Sequence, residues 1–358
     1  MSPSSFDEIP GWADDDHRAA FACFLQSARL IASAAPKTRA DGPEGTALAG
    51  AARLALAMEK PSPTAARTFF EENFRPARVG ADGFVTSYYE PEAEASPVEA
   101  PGFGVPLYRR PHDLVRIRAE AMPAGWDPSV EWARLRRDGG FEPYDDRAAI
   151  EDGALAGRGL EIAWLADPVD AFFIHVQGSA RLRMTDGRVL RVGFDGKSGH
   201  PYTSIGRLAV ERGLLSAEAA HKDGLEAWLK RNRAAGRLLM RENRSHIFFR
   251  EIPCLGAAEG PMGAAEVPLT PGRSLAVDRN LRTFHAPIWV AAEGLGDPDA
   301  PGRPFRRLMI AQDTGSAILG PARGDLFAGW GPGAGAWAAH VRHPAAMHVL
   351  IPRSPHTP

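Results

Sequence analysis

The chain has 358 residues, 44% hydrophobic and 24% charged, with 42 Lys and Arg against 44 Asp and Glu and a formal net charge of −2. This is a globular composition without a basic block, which argues against a nucleic-acid surface. Nowhere do 18 apolar residues run together, so no transmembrane segment is expected, and the length suits two domains or one large domain with an insertion.

The opening stretch, MSPSSFDEIPGWADDD, lacks the basic residues and apolar core of a signal peptide, and it has no lipid-attachment cysteine. Residues 13–76 read as helical. Phe21, Phe24, Leu25, Ala28 and Ile31 follow helix spacing, and Leu48, Ala52, Leu54 and Leu56 form a second stripe. Ser62-Pro63, an N-cap followed by a first-turn proline, announces a third helix carrying Phe69, Phe70 and Phe74. Cys23 and Cys254 each sit among apolar residues and read as buried free thiols; no metal-type cysteine pair exists.

From about residue 80 the period changes to that of strands. GFVTSYYEPE is followed by VPLYRR, LEIAWLA, AFFIHVQGSARLRM and RVLRVGF, with Asp-Gly turns at 186–187 and 195–196. A helical interruption spans roughly 216–242, and a further β-rich block runs from about 246 to 352. Helices first and many short strands after them predict a mainly β protein of α+β character with barrel-like sheets.

The candidate chemistry centres on AQDTGSAILG at 311–320. Asp313 stands at a plausible strand end and Thr314-Gly315-Ser316 at a turn, so its carboxyl projects at a sheet edge. An apolar setting there raises a carboxyl pKa, as a general acid at neutral pH requires; the structural alternative is an Asx-type turn. Aspartic-protease chemistry needs two aspartates sharing one proton, whereas this sequence has one D-T-G and no D-S-G. Asp278 in SLAVDRN and Asp325 in ARGDLFAGWG bracket Asp313 in similar apolar settings, though spacing alone leaves them as turn residues. His340, His343 and His348 lack the carboxylate of a zinc-helix motif, and no serine-hydrolase elbow, P-loop or dinucleotide fingerprint occurs. Neither a metal nor a cofactor is expected. Tyr88-Tyr89-Glu90, Gln177-Gly178-Ser179 and His200-Pro201-Tyr202-Thr203, all at strand ends or turns, supply the ring faces and polar groups of a sugar-gripping surface.

Taken together these segments resemble the membrane-bound lytic murein transglycosylase A family. The likeness runs in order through GFVTSYYEPEAEAS, VPLYRRP, the long central stretch from FEPYDDRAAIEDG to SARLRM, GKSGHPYTSIGRLAVERG, NRSHIFFRE, GRSLAVDRN and RRLMIAQDTGSAILGPARGDLFAGWG. The last block is similar to a wider three-aspartate domain. Ser316, Leu319 and RTFHAP at 282–287 depart from the family pattern.

The resemblance implies a double-psi β-barrel domain carrying the N-terminal helices, built from residues 1–105 and 248–358. A second, smaller β-barrel domain over 106–247 would be inserted in it, and a groove would take glycan strands. It implies a peptidoglycan-cleaving lytic transglycosylase whose single catalytic acid is Asp313, with Asp278 and Asp325 supporting. Tyr88, Tyr89, Glu90, Gln177, Gly178, Ser179, Tyr202, Thr203, Thr314 and Gly315 would contact substrate. It implies peptidoglycan strands as the partner, with other cell-wall enzymes beside them, a monomer, and a place in the periplasm or outer membrane of a Gram-negative bacterium. A non-catalytic glycan-binding protein is the alternative from another class.

Overall fold

The computed structural model describes residues 1–353 except 59, 81, 128–129, 253–255 and 257–258. The chain forms two compact units, Met1–Tyr89 with Leu255–Pro358, and Glu90–Cys254. The expected limits at 105/106 and 247/248 would each fall within a paired strand, Val105–Tyr108 and Ile247–Glu251. A register of hydrogen bonds ties both strands into the inserted unit, so its ends lie farther out.

The first unit opens with a short strand β1 (Ser2–Pro3) and three helices, α1 (His17–Ile31), α2 (Gly45–Leu56) and α3 (Pro63–Asn73). Helix α3 starts as its sequence requires: Ser62 Oγ accepts from the Ala65 amide at 3.1 Å, and Pro63 occupies the first turn, where no donor is needed. Phe21 and Phe24 of α1 meet Phe69, Phe70 and Phe74, the Phe21 and Phe69 rings standing edge to face at 5.1 Å. Each such ring, once buried, stabilises the unit by roughly 2–3 kcal/mol. Phe74 is not helical, as its spacing predicted. It begins strand β2 (Phe74–Arg78), yet its ring still fills the same core.

Strand β3 (Gly83–Glu90) then leads into the inserted unit. There β4 (Glu92–Ser96) and β5 (Val105–Tyr108) precede a small sheet of β6 (Leu114–Arg116), β7 (Trp132–Leu135) and β8 (Phe141–Glu142). After the one-turn α4 (Arg147–Ala149) come β9 (Glu161–Leu165), α5 (Pro168–Gln177), β10 (Ser179–Met184) and β11 (Val189–Lys197). Helices α6 (Ile205–Glu211), α7 (Lys222–Arg231) and α8 (Arg233–Arg241) lead to β12 (Ile247–Glu251). The main sheet of this unit has the order β12-β11-β10-β4-β9-β5.

Two sequence expectations fail here for local reasons. AFFIHVQ is not a strand but the body of α5, with Asp167 capping the Val169 amide, Pro168 in the first turn and Gly178 closing the helix at φ 76°. An apolar run of that length carries no period to separate helix from buried strand, and the caps decide. Asp195-Gly196 is not a hairpin turn. It lies within β11 at a bulge opposite β12.

The chain returns to the first unit with β13 (Ser274–Val277), β14 (Pro287–Gly296), β15 (Pro304–Asp313), β16 (Arg323–Trp330), α9 (Gly331–Ala338) and β17 (Arg342–Pro352). Its sheet runs β1-β2-β17-β14-β15-β13-β16-β3, and β17 also pairs with β3 between Arg342 and Ala345. The architecture is therefore mixed α/β with several sheets. Cys23 is a buried free thiol, pushed up to about 11 by burial, and donates to Gln312 Oε1; Cys254 lies outside the described residues. Among the described residues no helix is long and apolar enough to cross a membrane.

Candidate active site

Three strands of the first unit place two of the carboxyl groups. On β13, Ala276 lies opposite Asp313 of the parallel neighbour β15 and opposite Asp325 of the antiparallel neighbour β16. Residues opposite one another across a ladder project from the same face. Asp313 and Asp325 thus flank a residue with only a methyl side chain, and their charges couple.

Asp313 is the last residue of β15 and half-buried. Its Oδ2 accepts from the Tyr88 hydroxyl at 2.7 Å, and its Oδ1 from the Ala264 amide at 2.9 Å. Tyr88 belongs to β3, three strands away in the sheet order, about 14 Å in a flat sheet. The sheet has to curl for that hydroxyl to arrive. Burial raises the Asp313 pKa above the ordinary aspartate value, opposed by the Tyr88 hydroxyl and the Ala264 and Thr314 amides, which favour the carboxylate. An acid that is hard to ionise and has donors waiting for its conjugate base is equipped to give up a proton and take one back.

Asp325 is pushed up to about 6, first by burial and also by the Asp313 charge, against the Thr86 hydroxyl and the Arg323 guanidinium. Its Oδ1 accepts from Thr86 Oγ1, which in turn accepts from Arg323 at 2.6 Å. Asp278 does different work. Its Oδ1 accepts from the Asn280 amide and its Oδ2 from the Gly320 amide, both at 2.9 Å. Thr314 Oγ1 donates to the Val277 carbonyl at 2.8 Å. The loop that follows Asp313 is thereby pinned at one end to the last residue of β13 and at the other to Asp278 just after it, with Gly315 exposed between the pins. Asp278 is a loop tether.

The expected sugar contacts separate in the same way. Tyr88 addresses the acid. Tyr89 points to the other face of β3 and is buried against Gly335 of α9, where a Cβ would come within 2.9 Å of its ring. Glu90, 1% exposed, is enclosed in the inserted unit by Arg181 at 2.7 Å and Arg191 at 2.8 Å, so its carboxylate is committed to an internal ion triad. Such a triad is costly to break because its charges are already desolvated. In that unit Gln177, Gly178 and Ser179 form the junction of α5 and β10 and are half-buried. Tyr202 is 45% exposed, and the Thr203 amide donates to Asn243 Oδ1 at 3.1 Å. Sequence reading missed the Ala264 amide, Thr86 and Arg323. A backbone donor leaves no signal in side-chain chemistry, and the other two are ordinary strand residues until β3 and β16 are seen side by side.

The family profile described as "MltA specific insert domain" matches residues 84–250, and the "3D domain" profile matches 273–351. The chain is 36% identical over 200 residues to the membrane-bound lytic murein transglycosylase A of Vibrio cholerae, covering 55% of this chain and 53% of that protein. Against the protein of the same name from Escherichia coli K12 it is 30% identical over 280 residues, covering 76% of this chain and 67% of the relative. The crystal structure of a membrane-bound lytic murein transglycosylase from Agrobacterium tumefaciens superposes with a TM-score of 0.90 at 42% identity, covering 98% of this chain and 97% of that one.

Proposed function

Because the chain belongs to the membrane-bound lytic murein transglycosylase A family, we propose that it cleaves the MurNAc–GlcNAc β-1,4 bond of peptidoglycan with Asp313 as its acid. Most glycosidases use two carboxyl groups, one as acid and one as nucleophile or base. Here protonated Asp313 gives its proton to the glycosidic oxygen as the bond to C1 breaks. The C6 hydroxyl of the same muramic sugar attacks C1, and its proton returns to Asp313. No water is consumed, and the product ends in 1,6-anhydro-muramic acid. An attacking group already on the reacting sugar gains by proximity what a second carboxylate supplies elsewhere. The observation that carries this reading is the Asp313 carboxyl itself, raised by burial yet met by the Tyr88 hydroxyl and the Ala264 amide.

The test is mass spectrometry of products from purified murein. Muropeptides one water lighter than their hydrolysed counterparts are expected. Reducing-end products in their place would replace the transglycosylase reading with that of a hydrolase.

In this reading Asp325 adjusts the proton affinity of the acid, and Asp278 with Thr314 and Gly315 holds the loop behind it. Gln177, Ser179 and Tyr202 offer glycan contacts from the inserted unit. The β-strand circuit β3-β16-β13-β15-β14-β17, with β17 returning to β3, supports a double-psi barrel for the first unit. The names of the relatives support a location at the bacterial envelope. Tyr88→Phe removes a donor that favours the Asp313 carboxylate, so Asp313 ionises at higher pH. We expect the alkaline limb of kcat/KM to move up in pH and kcat to fall about tenfold, the effect of losing one charge-assisted hydrogen bond. A pH–rate profile that does not move would leave Tyr88 as a packing residue.

A further inference from the structure

A cavity of about 280 Å³ opens beside the acid, between the end of α1, the loop that follows it and the turns at 264–266 and 284–285. Ala264, whose amide donates to Asp313 Oδ1, lines it, so the cavity wall and the acid share a residue. Its charged groups are Lys37, Arg39 and Glu266. Among the described residues neither Lys37 nor Arg39 makes an ion pair, although the chain pairs most of its arginines elsewhere. The loop bearing these cations is fixed: the Arg39 amide donates to Thr283 Oγ1 at 3.0 Å, and the Gly45 amide to Thr38 Oγ1 at 2.9 Å.

A second observation sets this wall apart. Glu266 at φ 61° and His285 at φ 70° are two of the three non-glycine residues with left-handed backbone among those described, and both line this cavity. Strain of that kind persists where surrounding structure holds it and gathers at ligand sites. His285 is 4% exposed, held neutral by burial at a pKa of about 4, and its Nδ1 has no partner.

We propose that this cavity binds the peptide stem of the muramic residue undergoing cleavage, an inference that rests on the function proposed above. The stem hangs from C3 of the same sugar whose C1 carries the bond being broken, so it begins within one ring of the carboxyl of Asp313. It carries free carboxylates for Lys37 and Arg39 and, on its diamino residue, an amine for Glu266. Sugar hydroxyls and acetamides are neutral and leave two unpaired cations unanswered. A carboxylate answers them with charge-assisted hydrogen bonds. Phe284, Leu30 and Ile31 supply the apolar wall for the side chains between.

Carboxylate chemistry also has a second source, the lactyl group that an amidase exposes when it removes the stem, so the test separates the two. The full chain and its Lys37→Ala/Arg39→Ala variant are assayed on peptide-bearing murein strands and on strands stripped by an amidase. Wild type is expected to favour peptide-bearing strands in kcat/KM by about tenfold or more, and the variant to lose that preference. Lys37→Glu/Arg39→Glu is expected to reverse it. A wild type without preference, or variants that lose rate on both substrates alike, would overturn the proposal while leaving the transglycosylase reading intact; an equal loss points to the lactyl carboxylate or the glycan. Failure of wild type to release anhydro products from either substrate would overturn both.

Discussion

Asp313→Asn is expected to yield a folded protein that still binds murein strands and releases no detectable anhydro-muropeptides, with kcat at least ~10³-fold below wild type. General acid–base assistance by one group accounts for about 10²–10⁴ in rate, and here one group serves twice, as acid to the leaving oxygen and as base to the C6 hydroxyl. The substitution is nearly isosteric. The asparagine oxygen still accepts from the Ala264 amide, and the Tyr88 hydroxyl, which faces Oδ2 at 2.7 Å, turns to accept from the new amide group. A neutral amide also removes the cost of burying a charge, so thermal stability at neutral pH should hold or rise. Loss of rate with stability retained is the signature of a catalytic group. If the variant keeps more than about a tenth of the wild-type rate, Asp313 is not the acid.

The sequence made Asp313 legible as a candidate because a strand end followed by Thr-Gly is a local pattern. It could not rank the two other aspartates. Asp278 and Asp325 sit in equally apolar segments, and their difference is a matter of register. Asp325 lies across β13 from Asp313, while Asp278 falls one residue past the end of β13, where its carboxylate meets turn amides. The same limit shows in Tyr88-Tyr89-Glu90, read as one sugar-binding triplet. Strand alternation sends Tyr88 to the acid and Tyr89 into the packing against α9, and Glu90 is claimed by two arginines brought from β10 and β11. Partners so distant in sequence leave no trace in a local motif. The α5 error has another cause, since an all-round apolar helix has no period to betray it.

Asp325→Asn is expected to stabilise the protein at neutral and alkaline pH while narrowing the range over which it works. The Asp325 carboxyl, pushed up to about 6 by burial and by the Asp313 charge, ionises at a higher pH in the folded chain than in the unfolded one. A raised carboxyl pKa means that the folded state is penalised only when the group is charged. The penalty is absent below the unfolded value near pH 4, grows between about pH 4 and pH 6, and is constant above. Two pKa units correspond to about 3 kcal/mol, an upper figure because the residue keeps partial contact with water. The melting temperatures of variant and wild type should therefore agree below about pH 4 and part as the pH rises through 6. Activity should move in the opposite sense. Coupling between two carboxyl groups is mutual, so a charged Asp325 disfavours ionisation of Asp313 beside it. Without that charge the acid ionises earlier, and the alkaline limb of kcat/KM shifts to lower pH. Thr86 and Arg323, which favour the ionised form of Asp325, keep this charge within the site. A stability difference that is the same at pH 4 and pH 8, together with an unmoved limb, would show that Asp325 holds β16 in place and has no part in setting the acid.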